Sequence, residues 1–234
     1  LALLATPLIA TQREATTWLQ SYLRIDTSNP PGREAAGASY LKTLLHREGI
    51  ATQLLVPASG RPSLYARLKA AEPVGGALLL LHHIDAVPAG PGWIVGPTSG
   101  ELRQGKLWGR GAVDDKSLGI AHLAAFIEMH RSREPLRRDL IFLAVADEEA
   151  GGKQGTRWLV QEHPELFTDV EAVLGEGGSN RSFDGQLFWW GVEVAQKRPL
   201  WLRVTAQGRG GHGSTLNLHT APHRLVRGLA ALLE

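Results

Sequence analysis

Apolar side chains recur at helical spacing at Trp18, Leu19, Tyr22, Leu23 and Ile25, and the breakers Thr27-Ser28-Asn29-Pro30-Pro31-Gly32 then end the pattern. A second helical pattern runs from Glu34 to Glu48 and meets Gly49, the residue type best suited to close a helix. Two strand patterns follow, residues 51–56 and 64–68, with turn residues between them. Ala77-Leu78-Leu79-Leu80-Leu81 is a continuous apolar run of strand length, which predicts a central strand covered on both faces. It ends directly in His82-His83-Ile84-Asp85.

Residues 88–111 are rich in Gly and Pro and predict a long irregular segment, of the kind that carries function in a compact domain. Beyond it, Ser117 can cap a helix whose apolar stripe includes Leu118, Ile120, Ala121, Leu123, Ala124, Phe126 and Ile127. Residues 139–146 form another buried-strand pattern that ends in Asp147-Glu148-Glu149. A helix through Trp158 and Leu159 leads to a short strand, Ala172-Val173-Leu174, which ends in Gly175-Glu176-Gly177-Gly178. Alternating strands and helices predict an α/β fold, and in open α/β sheets the site lies at the carboxyl ends of the strands. Three strand patterns end in ionisable residues, so His83, Asp85, Glu148, Glu149 and Glu176 are expected to converge.

Composition narrows the chemistry. With 234 residues, 43% of them apolar, the chain can bury one full-sized core and part of a second domain. Its 25 basic and 23 acidic residues are interspersed, and neither the small surplus nor any motif points to a nucleic-acid partner. The densest basic stretch, Arg131 to Arg138, contains Glu134 and Pro135 and reads as a solvated connection. The absence of cysteine excludes disulfides, thiol catalysis and Cys-ligated zinc, and leaves His, Asp and Glu as metal ligands. Residues 1–10 are apolar apart from Thr6 and read either as the remnant of a signal peptide or as the frayed start of the first helix. The first reading implies a periplasmic or secreted protein, the second a cytoplasmic one, and neither a stable membrane anchor.

Taken alone, each site residue has an ordinary reading: His83 as a structural histidine, Glu148 and Glu149 as loop charges, Asp114 as a helix cap, His212 as a turn residue. Together they are an oxygen-rich set with one imidazole, which suits zinc without thiolates. Two divalent ions about 3.5 to 4 Å apart need a bridging ligand, and Asp114 is the obvious carboxylate. Asp85, two residues past His83, could accept the second imidazole N–H and raise ligand basicity. The pair Glu148-Glu149 suggests that one carboxylate binds metal while the other takes the proton of metal-bound water. His82, His122, His130, His163, His219 and His223 gain no such support and read as surface or packing residues.

At these residues the sequence resembles the two-zinc metallopeptidase family M20, which includes aminoacylase, glutamate carboxypeptidase, acetylornithine deacetylase and succinyl-diaminopimelate desuccinylase. The resemblance rests on five blocks: His83-Ile84-Asp85-Ala86-Val87-Pro88, Gly109-Arg110-Gly111-Ala112-Val113-Asp114-Asp115-Lys116, Asp147-Glu148-Glu149-Ala150-Gly151-Gly152, Gly175-Glu176-Gly177-Gly178 and Gly208-Arg209-Gly210-Gly211-His212-Gly213-Ser214. It implies a zinc-exopeptidase-like mixed sheet flanked by helices, with the start of an inserted α/β lid that serves dimerisation.

The same resemblance implies that His83 and Glu176 hold one metal, that Asp114 is shared, and that Glu149 holds the second. Glu148 then matches the general base, Asp85 the carboxylate behind the histidine, and His212 an oxyanion-stabilising group that reaches the partner subunit's site. Zinc is the default metal, with cobalt or manganese also suited to oxygen ligands. The implied activity is cleavage of an amide bond in peptides or N-acyl amino acids, in a homodimer; the alternative is an inactive relative used for binding or assembly. Residues 11–196 are expected to be the catalytic domain and 197–234 the start of the lid, from the block Lys197-Arg198-Pro199-Leu200-Trp201-Leu202-Arg203-Val204. The apolar helical pattern from Leu225 to Leu233 runs to the last residue, so the chain is expected to be truncated before the segment that returns with a further histidine ligand, and inactive alone.

Overall fold

The computed structural model describes residues 2–197 and 200–233. Two compact units make up the chain, Leu1–Gly177 and Gly178–Glu234.

The first unit is built on a five-stranded mixed sheet. Its strands are β1 (Thr52–Leu55), β2 (Ser63–Leu68), β3 (Ala77–His83), β6 (Leu140–Val145) and β7 (Val170–Leu174), in the order β1-β2-β6-β3-β7. β1, β2 and β6 pair antiparallel, while β6, β3 and β7 run parallel. β6 is buried along its whole length, as its unbroken apolar run requires. Its residues alternate between two cores. Leu140, Phe142 and Ala144 meet Leu41 and Leu45 of α2 (Glu34–Arg47) and Leu123, Phe126 and Ile127 of α3 (Lys116–Ser132). Tyr22 of α1 (Ala2–Leu23) joins this core. Ile141, Leu143 and Val145 face the other side, with Leu55, Tyr65, Leu79 and Leu159 of α4 (Thr156–Glu162). At ~1.5–3 kcal/mol for each large apolar side chain buried, β6 alone contributes on the order of 10 kcal/mol before entropy is counted.

Local rules explain most boundaries. Helix α2 closes at Gly49, whose φ of +73° is costly for a side-chain-bearing residue. Gly49 N donates to His46 O at 3.0 Å and Ile50 N to Leu45 O at 3.1 Å, which satisfies two carbonyls of the last turn. The first helix is longer than the spacing from Trp18 suggests: residues 2–10 continue it without a break. Among the described residues no helix is long and apolar enough to cross a membrane.

Two expectations are revised. The segment 88–111 is not wholly irregular, because β4 (Glu101–Arg103) and β5 (Lys106–Trp108) pair across a Gln104-Gly105 turn in which both φ angles are positive. Ser117 does not cap α3: the residue before the helix is Asp115, and Ser117 Oγ lies 3.5 Å from Val113 O. The carboxylate of Asp115 is turned instead toward the end of β3, where it accepts from His83 N at 3.3 Å.

The second unit holds a hairpin, β8 (Arg181–Phe183) and β9 (Gln186–Trp189), and α5 (Ala221–Ala231). Thr220 caps α5, its Oγ1 accepting from His223 N at 3.4 Å.

Candidate functional site

Parallel pairing puts the exits of three strands on one edge of the sheet. His83 is the last residue of β3 and lies opposite Val145, the last of β6, so Asp147-Glu148-Glu149 leaves beside it. Leu80 lies opposite Leu174, which delivers Glu176 from the other neighbour. Asp114 and Asp115 reach the same edge from the turn before α3. That turn is anchored by Lys116, whose Nζ donates to Tyr22 O at 3.2 Å and Ile25 O at 2.8 Å and lies 4.8 Å above the Tyr22 ring.

The side chains converge on His83. Its Nε2 is 2.8 Å from Asp114 Oδ1 and 3.6 Å from Glu176 Oε2. Ligand-type atoms of His83, Asp114 and Glu149 all lie within 4.8 Å of one another, and so do those of His83, Asp115 and Glu176. Glu149 Oε1 also accepts from Val87 N at 3.3 Å. For His83 Nδ1 the nearer acceptor is the main-chain carbonyl of Asp85 at 2.9 Å, with the Asp85 carboxylate at 3.5 Å. This leaves the Asp85 oxygens free to take the N–H groups of Glu148 and Glu149.

Electrostatics follow from crowding. Burial works against a charged His83, but the hydrogen bond and charge of Asp85, with Glu176 and Asp115, lift its pKa to about 10. Burial also raises Glu148, Glu149 and Glu176 above the ordinary carboxylate range; His83 opposes this in each case while neighbouring acids add to it. Asp115 is pushed up to about 7, chiefly by burial. A field that favours an imidazolium so strongly favours any cation placed among these oxygens, and the donor set of carboxylates and one imidazole fits a divalent ion.

His212 belongs to the second unit, where its Nδ1 accepts from Ser214 N at 3.3 Å and lies 2.8 Å from Ser214 Oγ. His82 is fully buried beside Phe142, with ring centroids 5.3 Å apart. His130 and His163 are at the surface on Glu48 O and Glu165. Sequence reasoning passed over four residues that touch this edge: Asp115, Asn29, Asp147 and Arg61. Asp115 and Asp147 sit inside the motifs already quoted and were legible as additional acids. Nothing in the local pattern marks Asn29 or Arg61.

Comparison with known proteins bears on the same edge. Residues 79–192 match the family described as Peptidase family M20/M25/M40, a span that contains His83, Asp85, Asp114, Glu148, Glu149 and Glu176. The chain carries a peptidase M20 family domain. Aminoacylase-1B of Rattus norvegicus is 28% identical over 228 residues, covering 95% of this chain and 55% of the relative. Aminoacylase-1 of Sus scrofa is 29% identical over 224 residues, 95% of this chain and 54% of the relative. A succinyl-diaminopimelate desuccinylase of Methylorubrum extorquens is 33% identical over 228 residues, 92% of this chain and 54% of the relative. The chain thus spans about half the length of the curated relatives it matches. Among solved structures, an M20 family metallo-carboxypeptidase from Sulfolobus solfataricus superposes with a TM-score of 0.61 at 24% identity, over 70% of this chain and 37% of that one. Human carnosine dipeptidase 1 gives 0.58 at 21%, over 73% and 39%. These two likenesses establish the mixed sheet with flanking helices as the M20 fold.

Proposed function

We propose that the protein is a metal-dependent hydrolase that cleaves an amide bond in peptides or N-acyl amino acids. The observation that carries this reading is the cluster of His83, Asp114 and Glu149, whose ligand atoms lie within 4.8 Å of one another at the carboxyl edge of the sheet. The curated relatives support the substrate class, since aminoacylase and desuccinylase both name the removal of an acyl group.

In this reading His83 and Glu176 hold one divalent ion, Glu149 holds a second, and Asp114 is shared, with zinc the default and cobalt or manganese alternatives. Such ions, when bound, acidify water and polarise a carbonyl. Glu148 stands next to the ligand Glu149 and serves as the base: it takes the proton of the attacking water and passes it to the leaving nitrogen. Partial burial and neighbouring acids already move Glu148 toward neutral pH, which suits a base that must return its proton. Asp85 supports His83 from behind and holds the turn that carries Glu148. Residues 11–196 are assigned to the catalytic domain and 197–234 to the start of a lid, with His212 donating to the developing oxyanion in the partner subunit of a homodimer.

The test is Glu148→Gln in the full chain, assayed on N-acetyl amino acids and dipeptides. Turnover should fall by about 10²- to 10⁴-fold while metal per chain stays constant, because the amide keeps the shape and loses the base. A folded Gln variant that turns over like the parent would remove Glu148 from this role.

A further inference from the structure

Glu148 and Glu149 open a one-turn 3-10 segment, Glu148–Ala150, that lacks a side-chain cap from the preceding residue. Their N–H groups are taken by one distant carboxylate: Glu148 N donates to Asp85 Oδ1 and Glu149 N to Asp85 Oδ2, each at 3.1 Å. Asn29 Nδ2 donates to Asp85 Oδ2 at 2.7 Å and reaches Asp147 Oδ1 at 3.3 Å. Asp147 also accepts from Arg61 Nη1 at 2.6 Å and, through Oδ2, from Gln154 N at 2.9 Å. The other side of the Arg61 guanidinium forks onto Glu34, with Nε 3.2 and 3.1 Å from its two oxygens and Nη2 on Oε1. Glu34 Oε1 then accepts from Asp147 N at 3.3 Å, which closes the ring of bonds.

Two features of this ring need a cation with a planar fork. Asp147 has a φ of +67°, a left-handed conformation that few side-chain-bearing residues adopt and that Asp holds when its carboxylate is hydrogen-bonded nearby. Glu34 and Asp147 are both buried, and two buried carboxylates persist only when paired. Arg61 bonds to both. It also packs against the turn before α2, where a Cβ on Gly32 would stand 2.5 Å from its Nε.

We propose that Arg61 is a positioning residue for the acid pair: by bridging Glu34 and Asp147 it holds Asp147 left-handed and so sets the direction in which Glu148 and Glu149 leave β6. This rests on the reading of Glu148 as base and Glu149 as metal ligand. Lysine would keep the charge, but a single ammonium cannot fork over Glu34 and reach Asp147 at once.

The experiment compares parent, Arg61→Lys and Glu148→Gln in the full chain loaded with cobalt(II). The Lys variant should unfold cooperatively and bind metal. Its visible cobalt spectrum should shift, because a ligand has moved, and kcat should fall about 10- to 100-fold with KM changed less than about threefold. A folded Lys variant with parental spectrum and kcat overturns the proposal and leaves Arg61 an ordinary ion pair. If Arg61→Lys does not fold, Asp147→Asn, which keeps the shape and weakens the Arg61 contact, decides by the same spectrum and kcat. Parental turnover in Glu148→Gln would sink the base assignment alone, since the spectral comparison still judges Arg61.

Discussion

Replacing Gly119 by alanine sets two effects of known size against each other. Within a helix interior such as that of α3, alanine is favoured over glycine by ~0.5–1 kcal/mol. The added methyl, however, would stand 2.2 Å from His82 Cδ2, 2.4 Å from Nε2 and 2.7 Å from Cγ. That ring cannot swing aside, because His82 is 2% exposed and packs on Phe142. Overpacking of this kind costs ~1–3 kcal/mol, and three ring atoms inside contact distance argue for the upper part of that range. The clash wins, with a net loss of about 1–2 kcal/mol. For a urea dependence near 2 kcal/mol/M the unfolding midpoint should drop by about 0.5–1 M. The double variant His82→Ala/Gly119→Ala should recover at least about 1 kcal/mol relative to the sum of the single changes, because the methyl then enters the space of the ring. A Gly119→Ala midpoint at or above the parent would refute the packing argument.

Three further outcomes are expected. Zinc at about a hundred times its dissociation constant should stabilise the folded chain by about 2.7 kcal/mol, and Asp114→Ala should abolish the shift; a parental shift in that variant would exclude Asp114 as a ligand. Lys116→Met should lower stability by ~1.5–3 kcal/mol in thermal melts, through loss of the charge-assisted bonds to Tyr22 O and Ile25 O, and a more stable variant would mean that burying the ammonium costs more than those bonds return. Arg131 bonds to Glu14 and Glu48, and its hydrogen bond holds the Glu48 pKa below the ordinary 4.5. A lowered acid pKa stabilises the fold above the unfolded value and loses that effect as pH falls through the folded one. Arg131→Met should therefore cost at most about 1 kcal/mol at neutral pH and nothing at low pH, in denaturation series from pH 7 to 3.

The sheet was legible where burial leaves an unmistakable pattern. β3 and β6 are apolar on both faces, so their runs stand out, and the ionisable residues past their ends mark the edge where His83, Asp85, Glu148 and Glu149 meet. The hairpin of β4 and β5 escaped notice because three-residue strands show no period and Gln104-Gly105 is not a common turn pair. Ser117 attracted the cap assignment by residue type; what decided otherwise was Asp115, whose carboxylate is engaged by His83 N. The ring of Arg61, Glu34 and Asp147 was invisible for a different reason. Glu34 looks like any acid in the first turn of a helix and Arg61 like any loop base, and only the folded chain brings positions 27 and 86 residues apart into one hydrogen-bonded unit.

The placement of β6 has a consequence for the order of events in folding. Its partners are Leu64–Leu68 on one side and Leu78–His83 on the other, so more than fifty residues must be looped out before the strand can be seated. Such non-local closure is slow to pay back its entropy and comes with the main barrier rather than before it. His83, Asp114 and Glu149 are strangers in the unfolded chain and become neighbours only when that strand slots in. A metal ion bound there would therefore find nothing to grasp early: it would govern how long the finished edge survives, while the hydrophobic interior governs how quickly it is born.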